Sequence, residues 1–93
     1  MKVQLISADI EILLNALPAI IGRSDTADVC LDDADTGEFQ CIIEQDDGKL
    51  SVADIAGGPS TFVNHHRITK AALMPGDTLR VGRSDFTVQY ELK

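Results

Sequence analysis

Residues 57–68 read GGPSTFVNHHRI: glycine, proline and serine run into Thr61 and a short apolar pair, followed by Asn64 and two histidines. Hydroxyl and imidazole groups so close together raise the question of catalysis. The serines near glycine lack a Gly-x-Ser-x-Gly frame, however, and His65 and His66, if they lie on a strand, point to opposite faces and cannot serve one site. No spacing of His, Ser and carboxylate predicts a converged cleft, so an enzyme is not expected.

Metal binding is the second chemistry to weigh. Counted from Asp33, the carboxylates of Asp35 and Glu44 fall at positions one, three and twelve of a calcium-binding loop. Gly37 then occupies position five and Glu38 the place where the tight turn needs glycine, while FQCII is strand-like where a flanking helix would begin. The acidic residues therefore read as a solvated loop. Cys30 and Cys41 sit in apolar runs at a spacing that matches no zinc pattern and read as buried free thiols. Neither a metal nor a cofactor is expected.

Anion recognition fares better. Gly22 ends an apolar run and Arg23 opens the polar loop SDTAD, which places a guanidinium at the rim of a rigid framework. Arginine suits a phosphate or backbone carbonyls because its donors lie in a fixed planar fork. The competing reading is a surface arginine ion-paired with Asp25, Asp28 or Glu38.

These residues need a framework. Ninety-three residues support one domain, 1–93, with a single core, and a hydrophobic content of 44% argues against disorder. Eight Lys and Arg stand against fifteen Asp and Glu, a formal charge of −7 that repels phosphate backbones and anionic headgroups, so neither nucleic acid nor a membrane is an expected partner. The opening MKVQLISADIEILLNALPAII is broken by Asp9, Glu11, Asn15 and Pro18, fits neither a signal peptide nor a membrane helix, and makes the cytoplasm the expected location.

Along the chain the pattern is one of short strands. KVQLIS puts Val3 and Leu5 on one face, DIEILL is the one segment compatible with a helix, and AIIG reads as a buried strand. DVCL and FQCIIEQ follow, and the Asp-Gly pair of DDGK predicts a hairpin into KLSVADI, with Leu50, Val52 and Ile55 as its apolar positions. TFVN, RI and TLRVG are further strand pieces, MPGD is a turn, and DFTVQYEL aligns Phe86, Val88, Tyr90 and Leu92 on one face. Residues 22–25 and 82–85 both read GRSD, a recurring strand-end turn and not a duplicated unit. The expectation is an all-β, antiparallel two-sheet β-sandwich.

Taken in order, IIGRSDTADVCLDD, GEFQCII, LSVADI, STFVNHHRI and LMPGDTLRVGRSDFTV resemble the forkhead-associated (FHA) domain over nearly the whole chain. The resemblance implies an FHA/SMAD-like sandwich whose loops at one end bind a phosphothreonine peptide. Gly22 and Arg23 match the family's Gly-Arg, whose arginine contacts peptide and phosphate. Gly37 stands where the family has a phosphate-binding serine, Glu38 replaces the following arginine, and Gln40 replaces a structural histidine. Gly57, Gly58, Pro59 and Ser60 align with Ser-x-Asn-Gly, so Gly58 takes the place of a second phosphate-contacting hydroxyl and Pro59 that of an asparagine that holds the peptide backbone. Thr61, Phe62, Val63 and Asn64 match, and His65 replaces the next glycine.

The implied partner-binding residues are Arg23, Ser24, Thr36, Gly37, Gly58, Ser60 and Asn64, with Thr36 and Ser60 near enough to lost hydroxyls to substitute for them. The function implied is a protein-interaction module in signalling or assembly, with phosphothreonine binding weakened or lost. The alternative is a phosphate-independent structural or oligomerisation domain; the oligomeric state is left open by the sequence.

Overall fold

The computed structural model describes residues 1–57 and 60–92. The N-terminal hairpin pairs β1 (Val3–Ile6) with β2 (Glu11–Leu14), from Val3 opposite Leu14 to Ile6 opposite Glu11. DIEILL is thus a strand and not a helix. Its intrinsic ambiguity is resolved by the turn, where the Ser7 backbone N–H donates to the Ile10 carbonyl at 2.8 Å and β2 is folded back onto β1.

β3 (Ala19–Gly22) follows Pro18 and pairs antiparallel with β5 (Cys41–Asp46). Between them β4 (Val29–Cys30) adds a two-rung parallel pair, Ile21 with Val29 and Gly22 with Cys30, the one departure among the described residues from the antiparallel pattern expected. β5 turns into β6 (Lys49–Asp54) through Asp47 and Gly48, at φ 53° and 79°, the left-handed pair that matches strand twist.

β7 (Thr61–Val63) and β8 (His66–Arg67) form a second such hairpin, with Asn64 and His65 at φ 50° and 71°. His65 therefore lies in the turn and only His66 on a strand. β9 (Lys70–Leu73), which the sequence does not signal, is recruited by β6, and β10 (Thr78–Val81) with β11 (Ser84–Gln89) completes the chain.

Two sheets result, ordered β2-β1-β11-β10-β7-β8 and β4-β3-β5-β6-β9. The period of two sends Val3, Leu5, Leu79, Val81, Phe86 and Val88 inward from the first, against Ile21, Cys41, Ile43, Leu50, Val52 and Leu73 from the second. Tyr90 bridges the layers, its hydroxyl donating to the Leu73 carbonyl and accepting the Leu50 N–H at 3.4 Å. Ile55 and Leu92, expected inward, are exposed because each lies beyond the last paired residue of its strand.

Candidate functional site

The strand ends at Gly22, Cys41, Asp54, Thr61 and Val81 converge, so residues 23–28, 31–40 and 55–57, Ser60 and the turn 82–83 share one end of the sandwich. Gly22 fixes the first of these loops. A Cβ there would stand 2.0 Å from the Glu38 carbonyl oxygen, so only glycine lets the two segments touch. The Arg23 and Ser24 N–H groups then donate to the carbonyls of Gly37 and Glu38, both at 3.0 Å.

Arg23 is exposed, and among the described residues no carboxylate lies within ion-pair distance of it. Of the acidic partners offered by the sequence, Asp28 instead accepts the Ile20 N–H at 2.8 Å. Ser24 is half-buried and its hydroxyl is shared with Thr26 at 2.9 Å.

The two thiols differ. Cys30 is exposed, contrary to expectation, because Val29 takes the inward position of the short β4; its S–H donates to the Arg23 carbonyl at 3.5 Å. Cys41 is buried, and desolvation reinforced by the negative charge of Asp54 pushes its thiol up to about 12. Native protein at pH 8 should therefore release one equivalent with a thiol reagent, from Cys30, and a second only after denaturation. Rapid labelling of Cys41 in folded protein would contradict this burial.

A buried polar network holds the loops in register. Gln40, in the structural histidine's place, donates from Nε2 to Asp54 Oδ2 at 2.8 Å and to Thr61 Oγ1 at 3.2 Å, and accepts the Gly37 N–H on Oε1 at 2.7 Å. Thr61 also donates to Asp54 Oδ2 at 2.7 Å. Asp54 Oδ1 accepts the N–H groups of Ala56 and Gly57, at 3.0 and 2.8 Å, which orders the start of the following loop.

A second clamp was not signalled by spacing. Asp33 accepts the Arg83 N–H at 2.7 Å, the Ser84 hydroxyl at 3.1 Å and the Asp35 N–H at 2.9 Å, joining residues fifty apart. Burial alone would raise its carboxyl, but these donors and the Arg83 guanidinium hold it below the usual range. Arg83 Nε meets Asp35 Oδ2 at 2.9 Å.

Of the expected binding residues, Arg23, Ser24, Gly37 and Ser60 come together at this end, where exposed Phe39 and Ile55 add apolar surface. Thr36 is not presented to solvent as expected: it is 2% exposed, and its hydroxyl, without a partner among the described residues, faces Gly82, where a Cβ would come within 2.2 Å. Asn64 lies at the far end of β7, where its amide donates to Asp77 at 3.0 Å and accepts the Thr78 N–H at 2.9 Å; it is a latch between turns. Gly58, with Pro59, lies outside the described residues.

A family model described as FHA domain matches residues 19–82. A solved structure from a structural and functional analysis of phosphothreonine-dependent FHA domain interactions superposes with a TM-score of 0.87 at 26% identity, with 100% of each chain covered. Mycobacterium tuberculosis EmbR, in complex with a low affinity phosphopeptide, gives 0.88 at 25% identity; 99% of this chain is matched, and it spans 25% of that one. The N-terminal FHA domain of S. cerevisiae Rad53p, in complex with a phosphothreonine peptide, gives 0.84 at 17% identity over 98% of this chain and 94% of that one, a likeness of fold. No curated protein sequence matches the chain.

Proposed function

Because the chain belongs to the FHA domain family, we propose that it is a protein-interaction module that docks a segment of a partner protein on its loop end through Arg23, with phosphothreonine affinity weakened. The carrying observation is that Arg23 is exposed, unpaired with any described carboxylate, and mounted on backbone fixed by Gly37 and Glu38. A guanidinium so held is available to a phosphate or to peptide carbonyls.

The weakening follows from what surrounds it. Gly37 offers no hydroxyl, and a hydrogen bond to a charged group contributes about 1.5–3 kcal/mol. Glu38 adds a like charge beside the incoming dianion. Catalysis forms no part of this reading, and the net charge of −7 disfavours nucleic acid and membranes as partners. Two free cysteines suit a reducing compartment, which supports a cytoplasmic location.

Titrating the domain with a degenerate phosphothreonine peptide library and its unphosphorylated twin, read by NMR, tests the proposal. Phosphate-dependent shifts centred on Arg23 and Ser24, lost in Arg23→Ala, are expected. Their absence at millimolar peptide, or equal binding by Arg23→Ala, would remove the loop end from the function.

A second reading, phosphate-independent packing between copies, draws on Ile10 and Leu13, which are exposed at and beside the edge strand β2. A dimer in sedimentation equilibrium that survives Arg23→Ala would favour it.

A further inference from the structure

The chain has four arginines, and three of them, Arg67, Arg80 and Arg83, lie on the β8-β7-β10 side of the first sheet and its turns. Register explains two of these positions. Phe62 pairs with Arg67 on β8 and with Arg80 on β10. Thr61 and Val63 point into the core, as do Leu79 and Val81, so Phe62, Arg67 and Arg80 project from the solvent face.

Directly opposed residues stand about 5 Å apart at Cβ, so a guanidinium flanks the Phe62 ring on either side. A cleft follows β7 along this face, from Ser60, Gly82 and Arg83 at the loop end to His65 at the far turn, with Phe62 and Arg80 between. In a chain of net charge −7, Arg67, Arg80 and Arg83 gather here against Asp33, Asp35 and Asp85, so the acidic excess of the rest of the surface is locally cancelled.

Three carboxylates stand beside it, the buried Asp33 at 4.0 Å from Arg83 Nε being one. Asp35 pairs with Arg83 at 2.9 Å and Asp85 with Arg80 at 3.4 Å, while Arg80 Nε also donates to the Gly82 carbonyl at 3.2 Å. All four side chains of the Asp35 and Asp85 pairs are substantially exposed, and exposed pairs contribute little, so an incoming carboxylate exchanges for them readily.

We propose that the strip Arg67–Phe62–Arg80, with His65 and Arg83 at its ends, is a second binding site that takes an acidic peptide segment. An extended segment that follows β7 presents carboxylates to the Arg67 and Arg80 forks on its two flanks while its apolar stems lie on Phe62. The cleft begins at Ser60, so the segment continues the docked partner chain; to that extent the inference rests on the loop-end reading. Polynucleotides fit poorly, because the acidic remainder of the surface repels a long polyanion.

The test is fluorescence anisotropy of a labelled, unphosphorylated hexaglutamate peptide in low and physiological salt, using the whole 93-residue chain. Wild type is expected to bind, more weakly as salt rises. The double variant R67Q/R80Q should lose about tenfold or more in affinity, the single variants part of that, and Arg23→Ala should stay within about twofold. Unchanged melting temperatures in the glutamine variants separate lost binding from lost folding, and should either melt early, R67E alone is expected to abolish binding in a folded domain.

No binding by wild type, equal loss in Arg23→Ala, or octathymidylate binding as tightly as hexaglutamate would overturn the proposal. Because the probe carries no phosphate, failure here leaves the loop-end result standing, and failure of phosphothreonine binding leaves this one standing.

Discussion

Gly37→Ser should tighten binding of a phosphothreonine peptide by roughly tenfold to a hundredfold, as one recovered hydrogen bond to a charged group contributes about 1.5–3 kcal/mol. The backbone admits the change. Gly37 is not among the residues at positive φ, so an L side chain needs no strained conformation there. Its Cβ would lie 3.2 Å from both Ala56 Cβ and Gln40 Oε1, so neighbours must yield by a few tenths of an ångström. Ala56 sits exposed beyond the end of β6 and can move that far. Calorimetry with the phosphorylated peptide and its unphosphorylated twin checks the expectation, with Gly37→Ala as the steric control. If serine and alanine bind alike, the hydroxyl does not reach the phosphate and the loop end contacts its partner differently. Glu38→Gln, measured alongside, isolates the contribution of like charge.

The largest expected loss of stability comes from Asp54→Ala. Its carboxylate accepts four hydrogen bonds, from Gln40, Thr61, Ala56 and Gly57. Removing it leaves the proton of the Thr61 hydroxyl, on a residue 0% exposed, without its acceptor, so that only the donation from Gln40 at 3.2 Å remains to that hydroxyl, and frees one amide proton of Gln40. A hydrogen bond to a charged group contributes about 1.5–3 kcal/mol and solvent offsets the loss at the exposed Ala56 and Gly57, so a total of about 3–5 kcal/mol is expected against a typical stability of about 5–15 kcal/mol. Thermal melting should then fall by more than about 12 °C, with amide exchange at residues 55–57 accelerated further than elsewhere. A drop of only a degree or two would mean that solvent replaces the carboxylate and that the network is less closed than its geometry implies.

The framework is legible in the sequence where local chemistry dictates geometry. Asp47 and Gly48 specify a hairpin, and the alternation through Leu79, Val81, Phe86 and Val88 specifies which face is buried. Legibility fails where partners decide. KAAL carries weak strand preference and becomes β9 because β6 offers an edge at Leu50 to Ala53. Cys30 sits in an apolar run, yet parity on a two-residue strand turns it outward.

At the site, the order of family motifs singles out Arg23 and Gly37, and the structure joins their two segments by backbone hydrogen bonds across fourteen residues. Thr36 appears equally available from its position, but Gly82, brought in from a distant turn, encloses its hydroxyl. The Arg67–Phe62–Arg80 strip is invisible for the same reason. Its members are five and eighteen residues from Phe62, and only the register of three strands makes them neighbours.

The pairing of β1 with β11, Leu5 against Val88, sets the order of events during synthesis. A ribosome adding about 5–20 residues per second leaves β1 waiting on the order of ten seconds for the strand that covers its second edge. Through that interval Val3 and Leu5 belong to a two-stranded hairpin that is marginal by itself, an invitation to pair with another nascent chain. Lys2, Asp9 and Glu11, whose charges contribute nothing to the finished core, bracket this apolar run and act as its gatekeepers until residue 88 arrives.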